Sequence, residues 1–144
     1  MVTNRLIYLV DDAADYRFLA QQVFSRFVPQ AEVRFFISGD DLYQCNQTEQ
    51  VYPDLILMDL NMPPGLNGID TVRLLRQSTS WKLIPVVIMS NSASDEEMTQ
   101  CLEAGANSFL AKSLDFNQMK DTMVSVSNYW LSLNRIPSRQ RELI

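Results

Sequence analysis

The sequence predicts an α/β fold, a parallel sheet covered by helices on both faces, and three observations carry that expectation. First, five short runs are rich in branched and aromatic apolar residues: Leu6 to Val10, Val33 to Ile37, Leu55 to Met58, Val86 to Met89 and Ser108 to Ala111. Strands covered by helices on both faces read as such runs rather than as a strict alternation. Second, segments with helical spacing lie between them, and each would lay an apolar stripe on the sheet. Third, three of the runs end on charge: Val10 leads into Asp11 and Asp12, Met58 into Asp59, and Ala111 into Lys112. In parallel strands those charges gather at one edge, the carboxyl end, where open α/β sheets bind their ligands.

Each element follows in order. The first strand gives way to a helix whose stripe is Tyr16, Leu19, Ala20, Val23 and Phe27, with Asp12 expected to cap it and the helix to begin at Ala13. Ser38 is placed to cap a second helix from Gly39. Pro53 and Pro85 stand just before strands, where a missing amide proton costs little. The stripe Ile69, Val72, Leu75 and Arg76 marks the third helix. Ser94 precedes the fourth, whose first turn of Asp95, Glu96 and Glu97 suits the helix dipole and whose stripe is Met98, Cys101, Leu102 and Ala104. Gly105 is placed to end it. A last helix is expected from about Leu114 to Leu133, with Tyr129, Trp130 and Leu133 beyond the reach of one sheet layer. The order is five β-α units with right-handed crossovers.

Length and composition bound the function. At 144 residues the chain suits one domain, expected over 1–137, followed by a polar tail over 138–144. A net charge of −5 speaks against a nucleic-acid-binding face, which needs clustered Lys and Arg. There is no His, so a Cys/His zinc site and a His-based triad are excluded. Cys45 and Cys101 read as thiols of a reducing compartment. Neither an apolar signal region nor a membrane span is seen, and a cytoplasmic protein is expected.

With the elements placed, the chain resembles the receiver domain of bacterial two-component response regulators, from Arg5 to about Leu133. The likeness rests on four motifs in order: Leu9-Val10-Asp11-Asp12; Asp59-Leu60-Asn61-Met62-Pro63 with Gly68; Ile88-Met89-Ser90; and Gly105 through Lys112. It implies a flavodoxin-like, doubly wound (βα)5 sheet in strand order 2-1-3-4-5. It also implies that Asp59 accepts a phosphoryl group from a sensor histidine kinase or a phosphotransfer protein. Asp11 and Asp12, with Asp59 and the Asn61 backbone carbonyl, would hold Mg2+. Lys112 would pair with Asp59 and then with a phosphoryl oxygen, Ser90 and the Asn91 amide would bind other oxygens, and Phe109 would follow Ser90 as a switch aromatic. The output would be a changed binding face for a downstream protein that the residues do not name. The chain would catalyse only its own phosphorylation and dephosphorylation.

Taken singly, these residues have plainer readings: Asp12 as a cap, Asp59 as a turn residue, Lys112 as a solvated lysine, Phe109 as an aromatic on a half-buried strand. Met62 and Met89 are expected in the core. An aspartyl-phosphate hydrolase normally carries a second Asp two residues after the nucleophile, and Asn61 stands there, so its general acid is missing. A flavin carrier would want small hydroxyl and Gly residues after the first strand, where Asp11 to Asp15 is acidic. An interaction module that keeps the fold without phosphorylation is the alternative reading, opposed by the retained Asp, Ser90 and Lys112.

Three departures from the family pattern are visible. Ser113 replaces the Pro usual after the lysine, and a trans Lys112–Ser113 peptide is the cheaper form for a non-proline residue. The loop Pro63-Pro64-Gly65-Leu66-Asn67-Gly68 is one residue longer than the common form. Asn91 stands where Ala or Gly is common, which predicts a phosphorylated form that is long-lived or slow to form. The stretch Tyr129-Trp130-Leu131 with Ile136-Pro137 resembles the end of single-domain regulators that pair with phytochrome-type kinases. Its aromatics read equally as an extra cap on the domain's own core or as half of a homodimer contact.

Overall fold

The computed structural model describes residues 5–48 and 51–137. Strands β1 (Arg5–Val10), β2 (Ala31–Phe36), β3 (Leu55–Asp59), β4 (Val86–Ser90) and β5 (Ser108–Ala111) alternate with helices α1 (Ala14–Phe27), α2 (Gly39–Thr48), α3 (Gly68–Gln77), α4 (Asp95–Ala104) and α5 (Phe116–Asn128). All four strand pairings are parallel, and the order across the sheet is β2-β1-β3-β4-β5. The expected polar tail over 138–144 and the first four residues lie outside the described residues.

Sheet position explains burial. The central strands β3 and β4 are buried at every residue, as their unbroken apolar runs require. Edge strand β2 instead alternates, with Glu32 and Arg34 exposed. It begins at Ala31 and ends at Phe36, so Ile37 is not part of it and is exposed. The sequence reading treated this run as doubly covered; an edge strand has a neighbour on one side only.

Alternating side chains build two cores. Tyr8, Val10, Ile56, Met58, Val86 and Ile88 face α2, α3 and α4. Ile7, Leu9, Leu55, Leu57, Val87 and Met89 face α1 and α5. Burying each such large side chain contributes about 1.5–3 kcal/mol. Trp81 anchors the first core against Tyr8 and Tyr52, at centroid distances of 6.0 and 5.8 Å. Met62 and Met89 are buried as expected. Cys45 and Cys101 are not joined in a disulfide.

The caps divide. Ser94 forms a reciprocal capping box with Glu97, and the Ser38 hydroxyl accepts from the Asp41 amide. Gly105 closes α4 at φ +118°, a left-handed conformation that glycine adopts without strain, and a Cβ there would lie 2.7 Å from Arg76 Cγ. Asp12, however, does not cap α1. Ala13 holds the cap position with no side-chain bond, and the Asp11 carboxylate accepts from the Ala13 amide at 2.9 Å instead. The last helix starts two residues later than expected, because Asp115 caps it by accepting from the Gln118 amide. Its end widens into a π-helical turn over Tyr129–Leu133, closed by Asn134 N–H donating to the Tyr129 carbonyl. Leu131 is buried and Trp130 packs against the α1/α5 core, whereas Tyr129 and Leu133 are exposed.

Arg76 closes the sheet end opposite the charged edge. Its guanidinium donates to the carbonyls of Gly105 and Ile84 at 2.9 Å, of Trp81 at 3.3 Å, and to Asn107 Oδ1 at 2.9 Å. Asn107 Oδ1 in turn accepts from the Val86 amide. One side chain thus joins the end of α3, the approach to β4 and the turn into β5.

Candidate functional site

The sheet brings the predicted residues to one edge by continuing its ladder one step past the strands. Asp11 N–H donates to the Phe36 carbonyl, Leu60 N–H to Met89 and Lys112 N–H to Ser90, each at 2.9 Å. Asp11, Asp59, Ser90 and Lys112 therefore emerge side by side. Asp11, Asp59 and Ser90 are buried, whereas Asp12 and Asn61 are exposed at the mouth. α3 docks close beneath: Gly68 N–H donates to the Leu60 carbonyl at 2.8 Å, and a Cβ on Gly68 would lie 2.8 Å from the Asp59 carbonyl oxygen.

Oxygens of Asp11, Asp12 and Asp59 lie within 4.8 Å of one another. Asp11 Oδ2 is buried, and its partner is the Lys112 ammonium at 2.7 Å. Lys112 Nζ is 3.6 Å from Asp59 Oδ2. The expected Lys112–Asp59 pair is present, but the ammonium sits nearer Asp11, the more deeply buried carboxylate. An all-oxygen set of three carboxylates whose oxygens lie within 4.8 Å of one another fits a hard divalent cation.

The cluster raises the pKa of the Asp59 carboxyl to about 6. Burial is the main cause, and the Asp11 and Asp12 charges add to it; Lys112 and the Leu60 amide oppose it.

Ser90 faces its own loop, donating to the Ser92 carbonyl at 2.8 Å and accepting from the Ser92 amide at 3.2 Å. Phe109 pairs with Ile88, two residues back from the edge, and packs half-buried on the α2–α4 side. Asn91 follows Ser90 and is exposed. The longer loop is tied down by Asp40, whose Oδ2 accepts from the Leu66 amide at 3.0 Å; a Cβ on Gly65 would collide with that carboxylate. Among the described residues the one cis peptide is Pro63–Pro64, so Lys112–Ser113 is trans.

Two neighbours escaped the sequence reading. Arg17 donates to the Asp11 carbonyl at 2.7 Å. Tyr16, read only as part of a core stripe, lies with its ring centroid 4.4 Å from Lys112 Nζ. The available signal was spacing: Tyr16 is one helical turn beyond Asp12, on the helix that leaves the site.

Fold and site together define a doubly wound α/β protein with an acidic pocket and one ammonium at the carboxyl edge of its parallel sheet. The chain belongs to the response regulator receiver domain family, whose model matches residues 7–124. It is 28% identical over 136 residues to the probable methanogenesis regulatory protein FilR2 of Methanothrix harundinacea, covering 92% of this chain and 87% of that protein. It is 27% identical over 140 residues to response regulator Rcp1 of Synechocystis, covering 93% and 94%. Among solved structures, the phosphorylated cyanobacterial phytochrome response regulator RcpA matches with a TM-score of 0.84 at 26% identity, over 94% of this chain and all of that one. A Mn2+-bound Rcp1 structure matches with a TM-score of 0.80 at 25% identity, over 92% and 99%. In several other curated relatives the chain matches less than half of the protein's length. Receiver domains bind Mg2+ or Mn2+ at an acidic pocket, and response regulators receive their phosphoryl group from histidine kinases. Among the described residues no helix is long and apolar enough to cross a membrane.

Proposed function

We propose that residues 1–137 form a receiver that accepts a phosphoryl group on Asp59 with Mg2+ bound, and signals by changing a protein-binding face. The observation that carries this reading is the cluster itself: three carboxylates within 4.8 Å of one another, one of them 3.6 Å from the Lys112 ammonium. An Asp59 carboxylate oxygen forms a new bond to phosphorus as the donor's own bond to phosphorus breaks, and the leaving group departs with the electron pair of that broken bond. Asp11, Asp12 and the Asn61 carbonyl hold the cation, which supplies charge neutralisation for the transfer. Lys112 then leaves Asp11 for a phosphoryl oxygen. Ser90 exchanges its bond to Ser92 for another oxygen, and Phe109 follows it on the adjacent strand, repacking the face formed by α4 and β5. The partners are a sensor histidine kinase or phosphotransfer protein and a downstream protein. The setting is cytoplasmic, and the exposed Tyr129 and Leu133 offer a homodimer contact.

Beryllofluoride with Mg2+ imitates an aspartyl phosphate and tests the reading. Amide NMR shifts are expected at Ser90, Phe109 and along α4 in the native protein and not in Asp59→Asn. Unchanged spectra would favour the phosphorylation-independent interaction module.

Asn91 sets the lifetime. Its exposed side chain follows Ser90 where attacking water would approach. Asn91→Ala is expected to speed loss of the label several-fold, as followed by intact mass after donor removal. An unchanged rate would remove Asn91 from the account.

A further inference from the structure

We infer that Tyr16 is a positioning residue for phosphoryl transfer, its ring face holding the Lys112 ammonium in the site while leaving it free to pivot between Asp11 and Asp59. This deepens the proposed function and rests on it.

Three groups enclose the ammonium. The Lys112 side chain is only 7% exposed, so its ammonium has lost most of its water. Two of its directions meet carboxylates, Asp11 at 2.7 Å and Asp59 at 3.6 Å, and the Tyr16 ring centroid lies 4.4 Å away. A desolvated ammonium gains most from such a face, because the ring quadrupole takes the place of hydration. The ring is itself fixed. Tyr16 is 2% exposed and its hydroxyl donates to Met89 Sδ at 3.5 Å. The cavity beside it, bounded by Met89, Ser113, Met119 and Met123 among others, holds about 10 Å3, the lower limit for one water. The ring therefore has no room to retreat from the ammonium.

Why a ring rather than a hydrogen-bond acceptor follows from what Lys112 must do. In the metal-free site it prefers Asp11, and it has to reach a phosphoryl oxygen on Asp59 once a cation satisfies the carboxylates. A carbonyl or carboxylate in the position of Tyr16 would hold one N–H direction and resist that turn. A π face attracts the charge with little preference for its rotation, so the ammonium turns without losing its support.

The test compares Tyr16→Phe, which keeps the face and loses the hydroxyl, with Tyr16→Leu, which keeps bulk and loses the face. With acetyl phosphate and saturating Mg2+, Tyr16→Phe is expected to label within about twofold of the native rate and Tyr16→Leu about five- to twentyfold more slowly. A second readout needs no substitution: the Lys112 ε-methylene protons of the native protein should be shifted upfield by the ring current. Labelling of folded Tyr16→Leu at the native rate, equal losses in Phe and Leu, or no upfield shift in the native protein would each overturn the inference. Failure of the native protein itself to label would instead overturn the proposed function, and the methylene shift would still report whether the ring faces the ammonium.

Discussion

Asp59→Asn is expected to make the metal-free protein more stable at pH 7, by about 2 kcal/mol, and to flatten its stability profile between pH 4 and 6. In the native protein the Asp59 carboxyl titrates near 6 when folded, against an ordinary value of 3.8. The folded state thus holds this proton more tightly than the unfolded chain does. The stability attached to the group is fully present below about pH 4 and is lost as pH rises through about 6. A rise from 3.8 to about 6 corresponds to roughly 3 kcal/mol, and access to solvent at the mouth of the site screens part of it. Asn keeps the shape and removes the charge, so the loss disappears. Adding Mg2+ at pH 7 should stabilise the native protein more than Asp59→Asn, because the cation relieves the same repulsion. Urea unfolding at pH 4.5, 6 and 7.5, with and without Mg2+, reads both effects. A native protein whose metal-free stability did not fall over that range, relative to Asp59→Asn, would contradict the electrostatic account of the site.

Arg76→Ala is expected to destabilise the fold by about 3–4 kcal/mol, the largest effect anticipated away from the site. Four acceptors meet this one guanidinium, three of them backbone carbonyls of Gly105, Ile84 and Trp81. Burial pulls its pKa below the ordinary arginine value, yet no carboxylate is paired with it among the bonds described. Its removal strands part-buried carbonyls on the approaches to β4 and β5 together. Arg76→Lys should recover only part of the loss, since an ammonium lacks the planar fork that reaches several acceptors at once. Denaturant unfolding measures both variants, and a loss under about 1 kcal/mol for Arg76→Ala would refute the assignment.

What the sequence disclosed, and what it withheld, divides along physical lines. The five strands were legible because a doubly covered parallel sheet writes itself as apolar runs with helical stripes between; their order across the sheet was implied by the resemblance to receiver domains and is the order observed. The charged edge was legible because residues following such strands must meet at one end. What stayed hidden depended on distances across the fold. Asp12 looked like a cap, but Ala13 holds that position and its amide donates to the Asp11 carboxylate. Lys112 was expected to pair with Asp59 and lies 3.6 Å from it, but its shorter contact, 2.7 Å to Asp11, had no mark in the sequence. Arg76 was marked by its place in an apolar stripe, yet its purpose lay in carbonyls on the approach to β4 and on the turn into β5. Tyr16 fitted a core stripe so well that its contact with Lys112 left no separate trace. The alternation of β2 was readable in Glu32 and Arg34, and only its edge position gives that pattern its meaning.

The central claim is that Asp59 is the phosphoryl acceptor. Intact mass spectrometry after incubation with acetyl phosphate and Mg2+ tests it most directly. The account predicts a gain of one phosphoryl group that is stable to acid, lost in base, dependent on the cation and absent in Asp59→Asn. An unlabelled native protein, or an Asp59→Asn protein labelled to the same extent, would contradict it.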